Sequence, residues 1–218
     1  MPRKSISGKA PRAYRSELRQ QQAEATRNRV VSAAAELFAT DGYARTTLAK
    51  IAAAAGVSAE TVQGQGPKAA LMIAAVEQAA FGVVGEEDIL NLDVGRALLA
   101  TGDPEQTMDL VANLVTDVHE RTGQLGLALI GGAGTDPELD RYWTNLAASI
   151  QRQNRRILEA LCDRGWIRDD IPFEEVVETM VVLGSVETYL RMTHRDGWSA
   201  DAYRRWCRRM MAETVFAR

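Results

Sequence analysis

The stretch GYARTTLAKIAAAAGVSAETV, residues 42–62, constrains the fold of this chain more than any other segment. Thr46 or Thr47 can cap a short helix over LAKIAAAA, because a threonine hydroxyl accepts a hydrogen bond from a backbone N–H that the first turn leaves free. Gly56 permits a tight turn, and Ser58 can cap a third short helix. The pattern predicts a helix-turn-helix motif, which presents the N-terminus of its third helix to a DNA major groove.

The rest of the chain also favours helix, since no segment alternates in the way a half-buried strand would. Its 218 residues include only six prolines, and 46% of them are hydrophobic, which is enough for a buried core. We therefore predict an all-α fold. Besides the two short helices of the motif, the start and stop signals predict helices at about 23–40, 67–84, 87–100, 104–121, 124–131, 137–164, 173–195 and 200–216.

Charge divides the chain into two unequal parts. Residues 1–68 hold 11 Lys and Arg against 5 Asp and Glu, a balance of +6, whereas residues 69–218 hold 15 against 24, a balance of −9. A basic module joined to a larger acidic one is expected of a nucleic-acid-binding head attached to another domain. Residues 1–22 are basic and nearly free of apolar side chains, which predicts a flexible arm. Two readings of the arm stay open, a DNA contact and a solvated tail.

Several N-terminal features carry a family resemblance: RVVSAAAELFATDGY, TTLAKIAAAAGVS, the following Thr61-Val62, and Lys68. With them the chain resembles the TetR family of transcriptional repressors, and its length and a C-terminal helix pair joined by RDGWSADAY agree in outline. The resemblance implies a helix-turn-helix head over residues 23–68 and a helical ligand-binding and dimerisation domain over residues 69–218. It also implies a homodimer joined through its last two helices, which binds a double-stranded DNA operator and is released by a small-molecule inducer.

One stretch departs from the family pattern. Family members place aromatic residues after the Thr-hydrophobic pair, whereas here Val62 is followed by QGQGP. Each glycine inside a helix costs roughly 0.8–1 kcal/mol relative to alanine. The third helix is therefore expected to end near residues 63–65, and Gly66-Pro67 to form the turn into the fourth helix.

The candidate DNA-binding residues lie in and around this helix. A glutamine can pair with the N6 and N7 edge of adenine, so Gln63 and Gln65 are candidate base readers, together with Ala59 and Glu60 at the helix start. The alternative is that both glutamines are ordinary surface residues. The residues expected to position phosphates, or to add charge beside them, are Arg45, Thr46, Thr47, Ser58, Thr61 and Lys68.

The pocket implied by the resemblance is expected on the middle helices. Methionine and tryptophan walls would suit a hydrophobic or aromatic molecule, although such side chains belong to a core more often than to a ligand site. His119 is expected to be a surface or internally satisfied histidine more than a polar group of the pocket. The candidate lining residues are Met108, Val111, Val115, His119, Leu127, Trp143, Leu146 and Met180.

No enzymatic site, metal site or cofactor is predicted. GQGPKA, residues 64–69, lacks the Ser or Thr and the preceding strand of a phosphate-binding loop. His119 and His194 have no metal-ligand spacing, and Cys162 and Cys207 are expected to be reduced, packed thiols of a cytoplasmic protein. No apolar run approaches the roughly 18 residues of a membrane helix. The alternative function is that of a helical interaction protein whose third helix has lost specific DNA binding.

Overall fold

The computed structural model describes residues 12–81 and 93–217, and these residues form an all-α fold, as predicted. Within them an isolated bridge between Ile167 and Phe216 is the only pairing of β type. The helices are α1 Arg12–Arg45, α2 Leu48–Ala55, α3 Ala59–Gln63, α4 Lys68–Phe81, α5 Asp93–Ala100, α6 Pro104–Ala133, α7 Pro137–Cys162, α8 Phe173–Leu183, α9 Val186–Leu190 and α10 Ala200–Thr214. A π-helical turn, Arg191–Arg195, continues directly from α9.

Helix α1 begins earlier than the sequence pattern predicted. Residues 12–22, expected to be part of a flexible arm, are helical, while residues 1–11 of that arm lie outside the described part of the chain. The stretch is polar but rich in Gln and Arg, which are good helix formers. At its other end α1 kinks at Gly42, where φ is +77°, a value that glycine adopts without strain.

Helix α6 is continuous where two helices, 104–121 and 124–131, were predicted. Gly123 and Gly126 lie inside this helix, where α9 packs closely against it. A Cβ atom added at Gly123 would lie 3.4 Å from the ring of Tyr189, and one added at Gly126 would lie 3.0 Å from Cγ2 of Val186. These glycines therefore make room for a neighbouring helix and do not end their own.

The predicted helix 173–195 is, by contrast, divided. Gly184 ends α8, and the hydroxyl of Ser185 caps α9 by accepting a hydrogen bond from the N–H of Thr188 at 3.1 Å. Gly184 and Ser185 thus form the boundary between two helices, and a Cβ added at Gly184 would contact Cγ2 of Val115 on α6 at 3.6 Å.

Two buried clusters make up the core, and α6 runs through both. The first joins α1–α4 to the second half of α6 and the start of α7. The second joins α5 and the first half of α6 to the end of α7 and to α8–α10. The first cluster contains residues from both sides of the predicted domain boundary at residues 68 and 69. That boundary remains a prediction. None of the described helices is long and apolar enough to cross a membrane.

Candidate DNA-binding surface and interior cavity

Capping interactions fix the geometry of the α2–α3 turn. The hydroxyl of Thr47 accepts from the N–H of Lys50 at 3.2 Å, and the hydroxyl of Ser58 accepts from the N–H of Thr61 at 3.1 Å. Between them Gly56 ends α2 with φ at +64°, in the left-handed region that favours glycine. Val62 has no exposed surface and anchors α3 in the first cluster, so the N-terminus of α3 stays on the surface.

Helix α3 ends at Gln63, within the predicted range, and the two following glycines differ in conformation. Gly64 is α-helical with φ at −65°, and an added Cβ would meet backbone oxygens of Glu60 and Thr61 at an ordinary 3.5 Å. Gly66 has φ at +127°, where a side chain is strained. Gly66 is therefore the residue that the turn into α4 requires.

The structure keeps most of the predicted DNA-binding residues at the surface of the head. Gln65 is half-buried, and so are Thr61, whose hydroxyl lies 2.8 Å from that of Ser58, and Lys68. The exposed members of the set are Arg45, Thr47, Ser58, Ala59, Glu60 and Gln63.

Thr46 is the exception, and its assignment to DNA contact is wrong. Its side chain has no exposed surface, and its hydroxyl donates to the carbonyls of Leu37 at 3.2 Å and Gly42 at 2.8 Å. The threonine hydroxyl therefore contacts two backbone carbonyls of α1 inside the head, one of them at the Gly42 kink. Thr46 is thus part of the core that supports the motif.

Lys68 lies at a junction between the head and the rest of the molecule. Its ammonium donates to the carbonyl of Tyr43 at 3.0 Å and lies 3.9 Å from the centre of the Tyr43 ring. The Tyr43 hydroxyl donates to Oδ2 of Asp136 at 2.5 Å, and this bond is the main cause that lowers the pKa of Asp136. Asp136 in turn caps α7 through the N–H of Glu138, so the head is tied to the α6–α7 turn.

Lys50 was missed in the sequence analysis. It lies in the first turn of α2, half of its side-chain surface is exposed, and its ammonium is 2.8 Å from Oδ2 of Asp41. A surface ion pair of this kind is weak and open to exchange. The signal that could have identified Lys50 is a basic residue three positions after the capping Thr47, in the first turn of α2.

A cavity of about 170 Å³ lies in the second half of the molecule, between α6, α7 and α8. Four of the predicted pocket residues line it: Val111, Val115, His119 and Met180. Other apolar lining side chains include Leu114, Ile150, Ile157 and Leu158. Among the described lining residues none is Asp, Glu, Lys or Arg.

The other four pocket predictions are corrected by the structure. Met108 is buried in the second core cluster and does not face the cavity. Leu127 is 47% exposed on the surface of α6. Trp143 and Leu146 pack against the first cluster, beside the head. These four side chains are apolar, as the prediction required, but they lie in the core or on the surface. A helical sequence pattern does not show which neighbouring element each face of the helix contacts.

His119 joins the cavity to the break between α8 and α9. Its Nε2 lies 2.9 Å from the carbonyl oxygen of Gly184, and its Nδ1 is buried without a hydrogen-bond partner. Burial lowers the pKa of His119, which favours the neutral ring, although the Gly184 carbonyl and the Glu187 carboxylate act in the opposite direction. The expectation of a surface or fully satisfied histidine is therefore wrong for this residue.

Comparison with known proteins agrees with this architecture. The sequence model of the family described as bacterial regulatory proteins, tetR family, matches residues 30–63. No curated protein sequence gives a significant match. A TetR transcriptional regulator from Chloroflexus aurantiacus J-10-fl has 20% identity and a TM-score of 0.66, over 91% of this chain and 100% of that one.

Two further solved structures have the same fold. NalD, the secondary repressor of the MexAB-OprM multidrug efflux pump in Pseudomonas aeruginosa, has 18% identity and a TM-score of 0.67, over 90% of this chain and 98% of that one. The SmeT–triclosan complex has 16% identity and a TM-score of 0.68, over 88% of this chain and 92% of that one. At such identities the likeness shows a shared fold.

A helix-turn-helix head on an all-helical body defines the class of the molecule, a DNA-binding transcriptional regulator. Within that class the sequence model of the TetR family matches the head of this chain, and solved TetR-family regulators share its fold. Regulators of this family are not enzymes.

Proposed function

We propose that this regulator is a repressor that binds a near-palindromic operator as a homodimer and is released by a small, mainly apolar molecule. The presentation of α3 carries the DNA-binding part. Val62 is fully buried, whereas Ser58, Ala59 and Glu60 are exposed at the helix start, the arrangement that docks in a major groove. Two heads would then enter successive grooves about 34–36 Å apart.

Gln63 is the main base reader in this proposal. It is exposed at the last position of α3, while Gln65, half-buried after the helix end, has a secondary role. A glutamine amide can form two hydrogen bonds with adenine. Phosphate contacts would come from Arg45, Lys50, Thr47, Ser58, Thr61 and Lys68, and the +6 charge of residues 1–68 would attract the DNA backbone.

Dimerisation through the region of α8 and α10 is supported by apolar surface that the chain does not cover itself. Val182 on α8 is 59% exposed, and Trp198, just before α10, is 42% exposed. The buried stripes of the same helices already face the second core cluster. The exposed apolar side chains are therefore available to a second subunit, which would complete a four-helix interface.

Release by a ligand is supported by the path of α6. Its first half lines the cavity, and its second half packs in the same cluster as the head. Suppose that a molecule binds the cavity more tightly when the two heads have a spacing that does not fit the operator. The difference between its binding free energies for the two conformations then sets the largest loss of operator affinity that it can cause. The fold itself can hold a small molecule, as the SmeT–triclosan complex indicates for that protein.

The test is selection of random DNA duplexes by the purified protein, followed by sequencing. We expect an enriched palindrome whose binding weakens steeply with salt, because phosphate contacts release counterions. In Gln63→Ala the discrimination at one position of each half-site should fall by about 1–3 kcal/mol. Gln78→Ala, which removes an exposed glutamine from α4, serves as the matched control.

Two outcomes would count against the proposal. Unchanged discrimination in Gln63→Ala would remove its role as a base reader but leave the regulator intact. Absence of any enriched sequence at low salt would mean that the five-residue α3 does not support specific binding. The interaction-protein alternative would then replace the repressor.

A further inference from the structure

Three polar side chains line the cavity, and two of them have partners on their own helix. The amide nitrogen of Gln153 donates to the hydroxyl of Ser149 at 3.2 Å, and that of Asn154 donates to the carbonyl of Ile150 at 2.9 Å. The third is His119, whose Nδ1 has no partner. Among these three, His119 is the one with a fully buried polar atom that has no hydrogen-bond partner.

The partner of Nε2 determines what Nδ1 can do. A carbonyl oxygen only accepts hydrogen bonds, so the contact with Gly184 requires that Nε2 carry a proton. In the neutral ring the proton on Nε2 leaves Nδ1 as an acceptor. A buried acceptor without a donor is unfavourable, and such a group in a folded protein calls for a partner.

The rest of the lining limits the charge and size of that partner. A charged ligand would lose its hydration without an opposite charge among the described lining residues. A dry apolar cavity of about 150 Å³ is known to hold benzene, so about 170 Å³ fits a molecule of one ring with a small substituent. Both limits point to a compact, neutral, mainly apolar compound.

We propose that the cavity ligand is a neutral, single-ring-sized apolar compound with a hydroxyl or N–H donor, and that His119 selects it by accepting this hydrogen bond at Nδ1. The proposal rests on the ligand-responsive function given above and names the ligand class and the specificity-determining residue. Nδ1 is closed to bulk water, so the ligand must shift neighbouring side chains to reach it. Because the same ring holds the Gly184 carbonyl, binding would act directly on the α8–α9 break.

The test uses two probes of nearly equal shape, p-cresol with its hydroxyl donor and p-xylene with a methyl group in its place. Dissociation constants are measured by titration with the wild-type protein, His119→Phe and His119→Asn. The preference for p-cresol over p-xylene should fall about fivefold in His119→Phe, as for the loss of one ordinary hydrogen bond. Asparagine retains an amide donor for Gly184 and an acceptor for the ligand, so His119→Asn should recover much of the preference.

The outcomes separate this proposal from the function on which it rests. An unchanged preference in His119→Phe, with both probes still binding, would overturn the role of His119. Binding of the anion p-toluate as tightly as p-cresol would overturn the neutral ligand class, and so would failure of both neutral probes to bind the wild-type protein. The operator selection uses the protein without ligand. Its result therefore tests the repressor function separately from these titrations.

Discussion

Adjacent threonines in the head show how residues of one type acquire opposite roles. Thr47 is exposed and caps α2, whereas Thr46 is fully buried and donates to two carbonyls. Either threonine suits an N-cap by its chemistry, so the sequence left both open. Only the tertiary contacts decide between them, because Thr46 lies against the carbonyls of Leu37 and Gly42 whereas Thr47 reaches the N–H of Lys50.

The two glycines after α3 should respond differently to alanine. Gly64 has a helical backbone with room for a Cβ, so Gly64→Ala should raise the free energy of unfolding by about 0.4–1 kcal/mol, because the unfolded chain loses freedom. Gly66→Ala should lower it by about 1–3 kcal/mol, because φ at +127° strains a side chain. Urea unfolding of both variants checks the difference.

The same pair also tests how closely the backbone approaches DNA. If Gly64→Ala is folded and stable but binds the selected operator more weakly, the methyl group obstructs a close contact at residue 64. Equal loss of stability in the two variants would contradict the conformations described for these glycines.

At the scale of elements, the end of α6 is shaped by its contact with the head. An added Cβ at Gly132 would lie 2.8 Å from Cδ1 of Leu139 and 2.9 Å from the ring of Tyr43, whereas one added at Gly131 would meet nothing within 4 Å. At Gly132, α6 is thus in close contact with both α1 and α7.

These neighbouring glycines form a matched pair of variants. Gly131→Ala should stabilise the protein by up to about 1 kcal/mol through helix propensity alone. Gly132→Ala should destabilise it by about 1–3 kcal/mol, because the methyl group overpacks a junction that includes the Tyr43–Asp136 hydrogen bond. Thermal and urea unfolding measure both values, and similar effects of the two substitutions would refute the close contact at residue 132.

At the scale of the whole molecule, α6 connects the two buried clusters. Val111, Val115 and His119 of α6 face the cavity, while Leu125 and Leu129 of the same helix pack with the head. Arg204 and Arg208 of α10 form ion pairs with acidic residues of α6. A displacement of α6 would therefore change the packing of the head, the cavity and the proposed dimer region at the same time.

The assembly can be tested with a pair of exposed apolar residues. Val182→Glu places a charge at a residue of α8 that is 59% exposed, and we expect it to convert the proposed dimer to monomers at micromolar concentration, because an unpaired charge is costly in an apolar interface. Leu127→Glu, at a 47% exposed leucine of α6, should leave the mass unchanged. Light scattering gives the mass, and a wild-type monomer at this concentration would contradict the dimer outright.

Local patterns were sufficient to predict much of this molecule. Helical periodicity, breaker residues and capping side chains predicted the all-α fold, the α2–turn–α3 motif and the end of α3, because each depends on interactions within about four residues along the chain. The same patterns placed the start of α1 too late, divided α6 into two helices and missed the break at Gly184. In α6, Gly123 and Gly126 are explained by Tyr189 and Val186 of another helix.

The sequence by itself determined the helical class and the DNA-binding head, since hydrophobic spacing and turn chemistry depend only on residues that are close together along the chain. Only the tertiary structure decided that Val111, Val115, His119 and Met180 line a cavity, while Met108, Leu127, Trp143 and Leu146 lie elsewhere. An apolar side chain has the same chemistry in a core, on a surface or beside a ligand. Its role follows from which distant elements meet it, and helix packing alone determines those contacts.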